Sequence, residues 1–253
     1  MKTDGNGTEF SFWEHLEVLR GCLWRIIVAI LVGSIAGFFF KEQLFNFILA
    51  PCHDDFILYR WLLPAEPFSL HLINTGLAEQ MMIHFKIAFC AGTVLASPYI
   101  LYVLFGFISP ALYENERKYS TRITLSAYVM FFIGLAINYL LIFPLTVRFL
   151  GTYQVSNDID NMLTISSYID TLLMMSVTFG CIFEMPVLSW LLAKFGLLKS
   201  QWMSRYRRHA IVAILIIAAI ITPTADMFTL VIVTLPIWLL YEVSIVIVRK
   251  TSL

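Results

Sequence analysis

Charge is scarce in this chain. Only 13% of its 253 residues are Asp, Glu, Lys or Arg, about half the share usual in a soluble domain. The formal net charge is zero, so global charge points to neither nucleic acid nor an acidic partner. Cysteine is scarce as well. Cys22, Cys52, Cys90 and Cys181 stand apart, with no CxxC pair and no ligand spacing, which argues against metal and redox roles. Cys90 and Cys181 fall inside apolar runs and read as small buried hydrophobes. His15, His53, His71, His84 and His209 lie on different segments, so no metal cluster is expected. No phosphate-binding GxxxxGK[ST] loop, HExxH, GxSxG or kinase signature is present, so neither ATP hydrolysis nor a covalent nucleophile is expected, and no cofactor. The expectation is a protein that is not an enzyme and draws any energy from outside itself. There is no tandem repeat, low-complexity segment or Gly/Ser linker. The first apolar run, Leu23 to Phe40, is too long for a signal-peptide core and lacks an A-x-A exit, so no cleavable signal is expected. No transit peptide is visible, which favours a bacterial-type plasma membrane.

Apolar residues fill the space that charge leaves. They make up 59% of the chain, 21 of them Phe, with a mean hydropathy of +0.81. A single polytopic membrane domain covering 1–253 is expected. Crossing about 30 Å of hydrocarbon takes about 20 apolar residues, and six segments qualify: 23–40, 80–107, 121–143, 167–193, 209–222 and 228–248. Basic residues set the orientation. Lys2, Arg20, Arg25, Arg117, Lys118, Arg122, Lys194, Lys199, Arg205, Arg207, Arg208, Arg249 and Lys250 collect on one side, and only Lys41, Arg60 and Arg148 on the other. Both termini are therefore expected in the cytoplasm, in agreement with an even number of spans. The fifth segment, "HAIVAILIIAAIIT", is short and stops at Pro223. Segment 41–78, with Pro51, Pro64 and Pro67, reads as an external cap with interfacial Tyr59 and Trp61, or equally as a simple amphipathic loop. Gly33 and Gly37 have the GxxxG spacing that lets helices approach closely; lipid-facing glycines have the same spacing.

Polar residues inside the spans are few. Two carboxylates stand out, Glu184 in "FGCIFEMPVL" and Glu242 in "LLYEVSIV". A charge at bilayer depth costs about 3 kcal/mol on insertion scales, so such a group usually faces a cavity or a partner. Lys86 is the obvious opposite charge for Glu184. Pro186 removes a backbone donor two residues later and should bend the fourth span, leaving a polar notch. Pro98, Pro144 and Pro236 should kink others. On the cytoplasmic side, Glu14 and Glu17 share a helical face in "FWEHLEVLRG", and Glu114 and Glu116 lie in "SPALYENERKYS". These acids suit capture of guanidinium groups, or an internal network with Arg20, Arg117 or Lys118.

Six stretches in order, "FWEHLEVLR", "SPYILYVLFGFISPALYENERK", "FFIGLAINYLLIFP", "FGCIFEMPVL", "RYRRHAIVAILIIAAIITPTAD" and "LPIWLLYE", resemble the TatC family, the polytopic core of the twin-arginine protein translocase. The resemblance implies an all-α integral membrane fold of six bent helices in a glove-like concave bundle. It implies twin-arginine signal peptides of folded precursor proteins as ligands, TatA/TatB-type single-span proteins as partners, and the proton gradient as the drive. It also implies a homo-oligomer within a larger complex, surrounded by membrane lipid, with no nucleic acid partner. The family's signal-peptide site uses a glutamate in HLxELR and another in the loop before the third span. The second corresponds to Glu116. The first falls on Val18, with Glu17 one residue earlier, so either Glu17 reaches round or Glu14 and Glu17 present a shifted acidic face. Arg20 corresponds to the family arginine and Glu184 to the intramembrane glutamate. Asp226 in "TPTAD" takes the external acidic position, Leu230 stands where a polar residue often follows, and Pro51 matches a proline of the external cap. Pro51, Lys86, Asp226 and Glu242 are thus expected as partner-contact or structural residues. The alternative reading is a proton-coupled small-solute transporter, with Glu184 and Lys86 lining one path.

Overall fold

The computed structural model describes residues 12–53, 55–62, 70–108, 120–153, 162–222 and 226–251, and they are almost entirely helical. Helix is what lipid demands, since it satisfies every backbone group within the segment. The long elements are α1 (Phe12–Phe39), α4 (Glu79–Ile108), α5 (Ser120–Ile137) continuing into α6 (Phe143–Thr152), α7 (Ile165–Phe183) followed by α8 (Met185–Lys194), and α11 (Met227–Thr251). Short helices α2 (Lys41–Leu49), α3 (Ile57–Leu62) and α9 (Ser200–Arg205) connect them. Helix α1 begins well before the expected start at 23. Five segments among the described residues are long and apolar enough to cross a membrane. The sixth expected crossing, α10 (Arg207–Ile221), has 15 residues and reaches about 22 Å, short of the hydrocarbon core, so the count of six does not follow from length.

Small residues set the closest helix contacts. A Cβ on Gly33 would lie 2.7 Å from the Gly92 carbonyl oxygen, and one on Gly37 would lie 3.2 Å from that of Ala88. The GxxxG pair of α1 is therefore packed against α4, not turned to lipid. Gly134 and Gly180 do the same for α5 and α7, against Phe183 and Phe131. Proline is accommodated differently in each element. Helices α4 and α11 continue through Pro98 and Pro236. The Val94 carbonyl, deprived of the Pro98 N–H, accepts the Ser97 hydroxyl at 2.7 Å. Pro144 instead follows a π-turn, Asn138–Ile142, in which the Phe143 N–H donates to the Asn138 carbonyl; one widened turn absorbs the missing donor.

Segment 41–78 carries ordered structure where it is described. Helix α2 runs into a 3-10 turn (Ala50–Cys52), α3 follows, and strand β1 (Leu72–Ile73) pairs in parallel with β2 (Leu163–Thr164). Tyr59 is not an interfacial anchor. It is 2% exposed, and its hydroxyl donates to the carbonyls of Pro51 at 3.0 Å and Pro144 at 2.9 Å. The Trp61 side chain and residues 63–69 lie outside the described residues. The main core joins this cap to the bundle through Ile48, Ile83, Phe143, Ile169, Phe179 and Ile237. Outward faces stay apolar, as Val32, Leu95 and Ile220 illustrate, because the surrounding solvent is lipid. The cysteines depart from expectation: Cys22 and Cys52 are buried, Cys90 is half-buried and Cys181 exposed.

Candidate functional site

Two sets of polar residues come out of this scaffold, one at the cytoplasmic end of α1 and one within the helices. At the first, Glu17 and Arg20 are both exposed on α1. They stand three residues apart on one face, yet among the described residues no ion pair joins them to each other or to anything else. Among the described residues Glu17 and Arg20 thus form no internal network; Arg117 and Lys118 lie outside them. Val18, at the family glutamate position, is also exposed. Glu14 belongs to the first turn of α1, with its side chain outside the described residues, and Glu116 lies outside them altogether.

The second set centres on Glu184. It occupies the break between α7 and α8: its N–H donates to the Cys181 carbonyl at 3.2 Å, and its carbonyl accepts from the Leu188 N–H at 2.9 Å. Pro186 sits in the first turn of α8, where its missing N–H is no loss. The proline therefore marks a restart of the helix and not a mere bend. The residue is 8% exposed, and among the described residues neither carboxylate oxygen has a hydrogen-bond partner. Instead of an open polar notch, the break holds a buried carboxyl that no backbone donor among the described residues satisfies. An unsatisfied buried polar group costs about 1–3 kcal/mol.

Lys86 does not face Glu184. Its ammonium donates to Asp170 at 2.6 Å, and Asp170 also accepts from the Ser166 hydroxyl at 3.3 Å. Asp170 is fourteen residues before Glu184, about 21 Å along the helix. The opposite charge expected for Glu184 is therefore taken by Asp170. Asp170 is a third carboxylate within the spans, and the sequence signal for it was its place inside segment 167–193. One further polar residue was not among the candidates, and a second is buried. Buried Asn138 in the π-turn donates to the Ser176 hydroxyl at 3.0 Å. Arg148, expected as a charge on the external side, is 8% exposed, with its guanidinium 5.3 Å from the Tyr59 ring centroid.

The remaining candidates have structural partners. Glu242 accepts from the Arg207 guanidinium at 2.8 Å, tying α10 to α11. Asp226 accepts from the Thr229 N–H at 2.7 Å, capping α11. Pro51 offers its carbonyl to Tyr59. Among the described residues no group of His, Cys, Asp and Glu is arranged to hold a metal ion.

Fold and polar sites together describe an all-α, multi-pass membrane protein with acids at its cytoplasmic edge and one carboxyl sealed in its interior. Comparison with known proteins makes this specific. The family model described as Sec-independent protein translocase protein (TatC) matches residues 14–236, and the chain belongs to that family. The TatC of Koribacter versatilis is 37% identical over 242 residues, covering 93% of this chain and 83% of that protein. The TatC of Aquifex aeolicus is 34% identical, covering 92% of each. A crystal structure of the twin-arginine translocase receptor TatC superposes with a TM-score of 0.79 at 33% identity, covering 95% of this chain and 100% of that one. The chain is a component of a Sec-independent protein translocase, not an enzyme, and resides in the bacterial cytoplasmic membrane. The expected all-α membrane fold and family are borne out.

Proposed function

We propose that this chain is the receptor subunit of the twin-arginine translocase, that it binds the signal peptides of folded precursors at its cytoplasmic edge, and that it recruits TatA/TatB-type single-span proteins for export driven by the proton gradient. The observation that best supports signal binding is the exposed Glu17, free of any ion pair among the described residues. A carboxylate left open in this way can take a guanidinium bidentately. Glu14 and Glu116 complete the acidic set in this proposal, with Arg20 beside them. Recruitment of a partner helix draws its support from Glu184, whose two buried oxygens lack donors. A polar side chain brought by a partner would supply one.

Site-specific crosslinking of a twin-arginine signal peptide tests the first part. Labels near Glu116 and Glu17 are expected to crosslink, and Glu116→Ala to weaken capture while membrane insertion stays intact. Crosslinks confined to other surfaces sink the assignment. Export assays on Glu17→Gln and Glu14→Gln separately decide which acid stands in for the family glutamate. Loss with Glu17→Gln favours Glu17; loss with Glu14→Gln alone excludes it.

A further inference from the structure

On the cytoplasmic side of the Gly33–Gly92 contact, an open groove of about 650 Å³ runs along the outer face of the α1–α4 pair. Its walls are Val28 and Val32 of α1 and Leu95 of α4, with Ala29 and Ala96 as a shallow floor. Arg25, Trp24 and Tyr99 line its cytoplasmic end. Arg25 precedes Phe39, the outer end of α1, by fourteen residues, about 21 Å. With Phe39 at the outer boundary of a hydrocarbon core of about 30 Å, the Arg25 Cα would lie about 9 Å inside its cytoplasmic boundary. A guanidinium there must reach toward the headgroups or find an anion. Among the described residues Arg25 has no ion pair. The acid nearest to it on its own helix, Glu17, is eight residues away, about 12 Å, and the only charged groups of α4, Glu79 and Lys86, lie toward the opposite end.

We propose that this groove holds one anionic phospholipid of the cytoplasmic leaflet, its phosphate on Arg25 and an acyl chain lying between Val32 and Leu95. Charge complementarity selects the headgroup, since basic pockets between transmembrane helices on the cytoplasmic side suit anionic lipids. Trp24 and Tyr99, both largely exposed, suit the interfacial level. The groove's length selects a lipid over a helix. Its lining runs from Arg25 to Gly33, eight residues or about 12 Å. A leaflet lipid ends near that depth, whereas a crossing helix would have to continue beyond the groove.

The test is native mass spectrometry of the purified full-length protein, given equal amounts of phosphatidylglycerol and phosphatidylcholine with the same acyl chains. Selective retention of one phosphatidylglycerol is expected, and millimolar inorganic phosphate should not displace it. Arg25→Gln is expected to lower that retention about tenfold, as for loss of one charge-assisted contact, while Arg25→Lys keeps most of it and Arg249→Gln changes nothing. Val28→Trp, which fills the groove from an exposed position, should reduce retention of both lipids. Equal retention of the two lipids, full retention by Arg25→Gln, or a photocrosslinker at Leu95 that captures a protein in membranes instead of lipid would each overturn the proposal.

Discussion

Three tyrosine hydroxyls fasten the external cap to the helices beneath it. Tyr168 donates to the Ile48 carbonyl at 2.8 Å, Tyr139 to that of Phe47, and Tyr59 to those of Pro51 and Pro144. The carbonyls of Phe47, Ile48 and Pro51 lie at the end of α2 or in the turn after it, whereas that of Pro144 lies in the first turn of α6. Tyr168→Phe leaves one buried carbonyl without its donor, so a loss of about 1–2 kcal/mol is expected. It would appear as a lower melting temperature in detergent, with faster proteolysis between residues 50 and 62. Unchanged melting and cleavage would mean that apolar packing alone holds the cap. Tyr59 adds a pH test. Burial pushes its hydroxyl well above the usual tyrosine range, the nearby Cys52 adds to this, and Arg148 opposes it. The neutral, donating form is thus favoured in the folded state. Its contribution should be constant below about pH 10, where an unfolded tyrosine ionises, and should fade as pH rises above that. Cap proteolysis that accelerates above pH 10 in the parent protein, and less in Tyr59→Phe, checks the sign.

Helices α1 and α4 meet along glycine and alanine, and this contact responds to single methyl groups. A Cβ on Gly92 would come within 2.3 Å of the Ser34 backbone nitrogen, and backbone cannot yield as a flexible side chain can. Gly92→Ala is expected to cost about 1–3 kcal/mol through overpacking. Gly21→Ala, where nothing lies within 4 Å, should gain up to about 1 kcal/mol from helix propensity. Opposite shifts in melting temperature check the pair. The α1 half of this contact was legible in the sequence, because GxxxG is a local spacing. The α4 half was not: Gly92 and Ala88 acquire meaning only once α1 is laid against them. The same division runs through the molecule. Long apolar runs and the Glu184–Pro186 interruption are local signals, so five of the six expected spans and an irregularity in the fourth could be read directly. The Tyr168 bond to Ile48 joins residues 120 apart, and the Lys86–Asp170 pair joins residues 84 apart. No single-sequence period encodes either. Tyr59 was misplaced because an amphipathic side chain near a membrane surface fits an interfacial belt and a buried clamp equally well.

For the molecule as a whole, the question is whether Glu184 serves the fold or an assembly. A carboxyl kept for stability should have donors, and both of its oxygens lack them. Replacing it by leucine removes an unsatisfied buried group worth about 1–3 kcal/mol and should also ease insertion. Glu184→Leu is therefore expected to melt no lower than the parent, and possession of the fold should be undiminished by circular dichroism. Its effect should appear instead in company: single-span proteins that co-purify with the parent from membranes should be lost or reduced at least fivefold, a coupling of about 1 kcal/mol or more. Glu184→Gln, which still offers a carbonyl and adds an amide donor, should retain part of that association. Lys86→Met supplies the contrast, since its half-exposed pair with Asp170 contributes little to stability and lies far from Glu184. The opposite pattern, in which Glu184→Leu melts lower yet keeps its partners, would assign the residue to packing. The sealed carboxyl is a local defect in one chain, and it would become favourable if a second chain completed its hydrogen bonds.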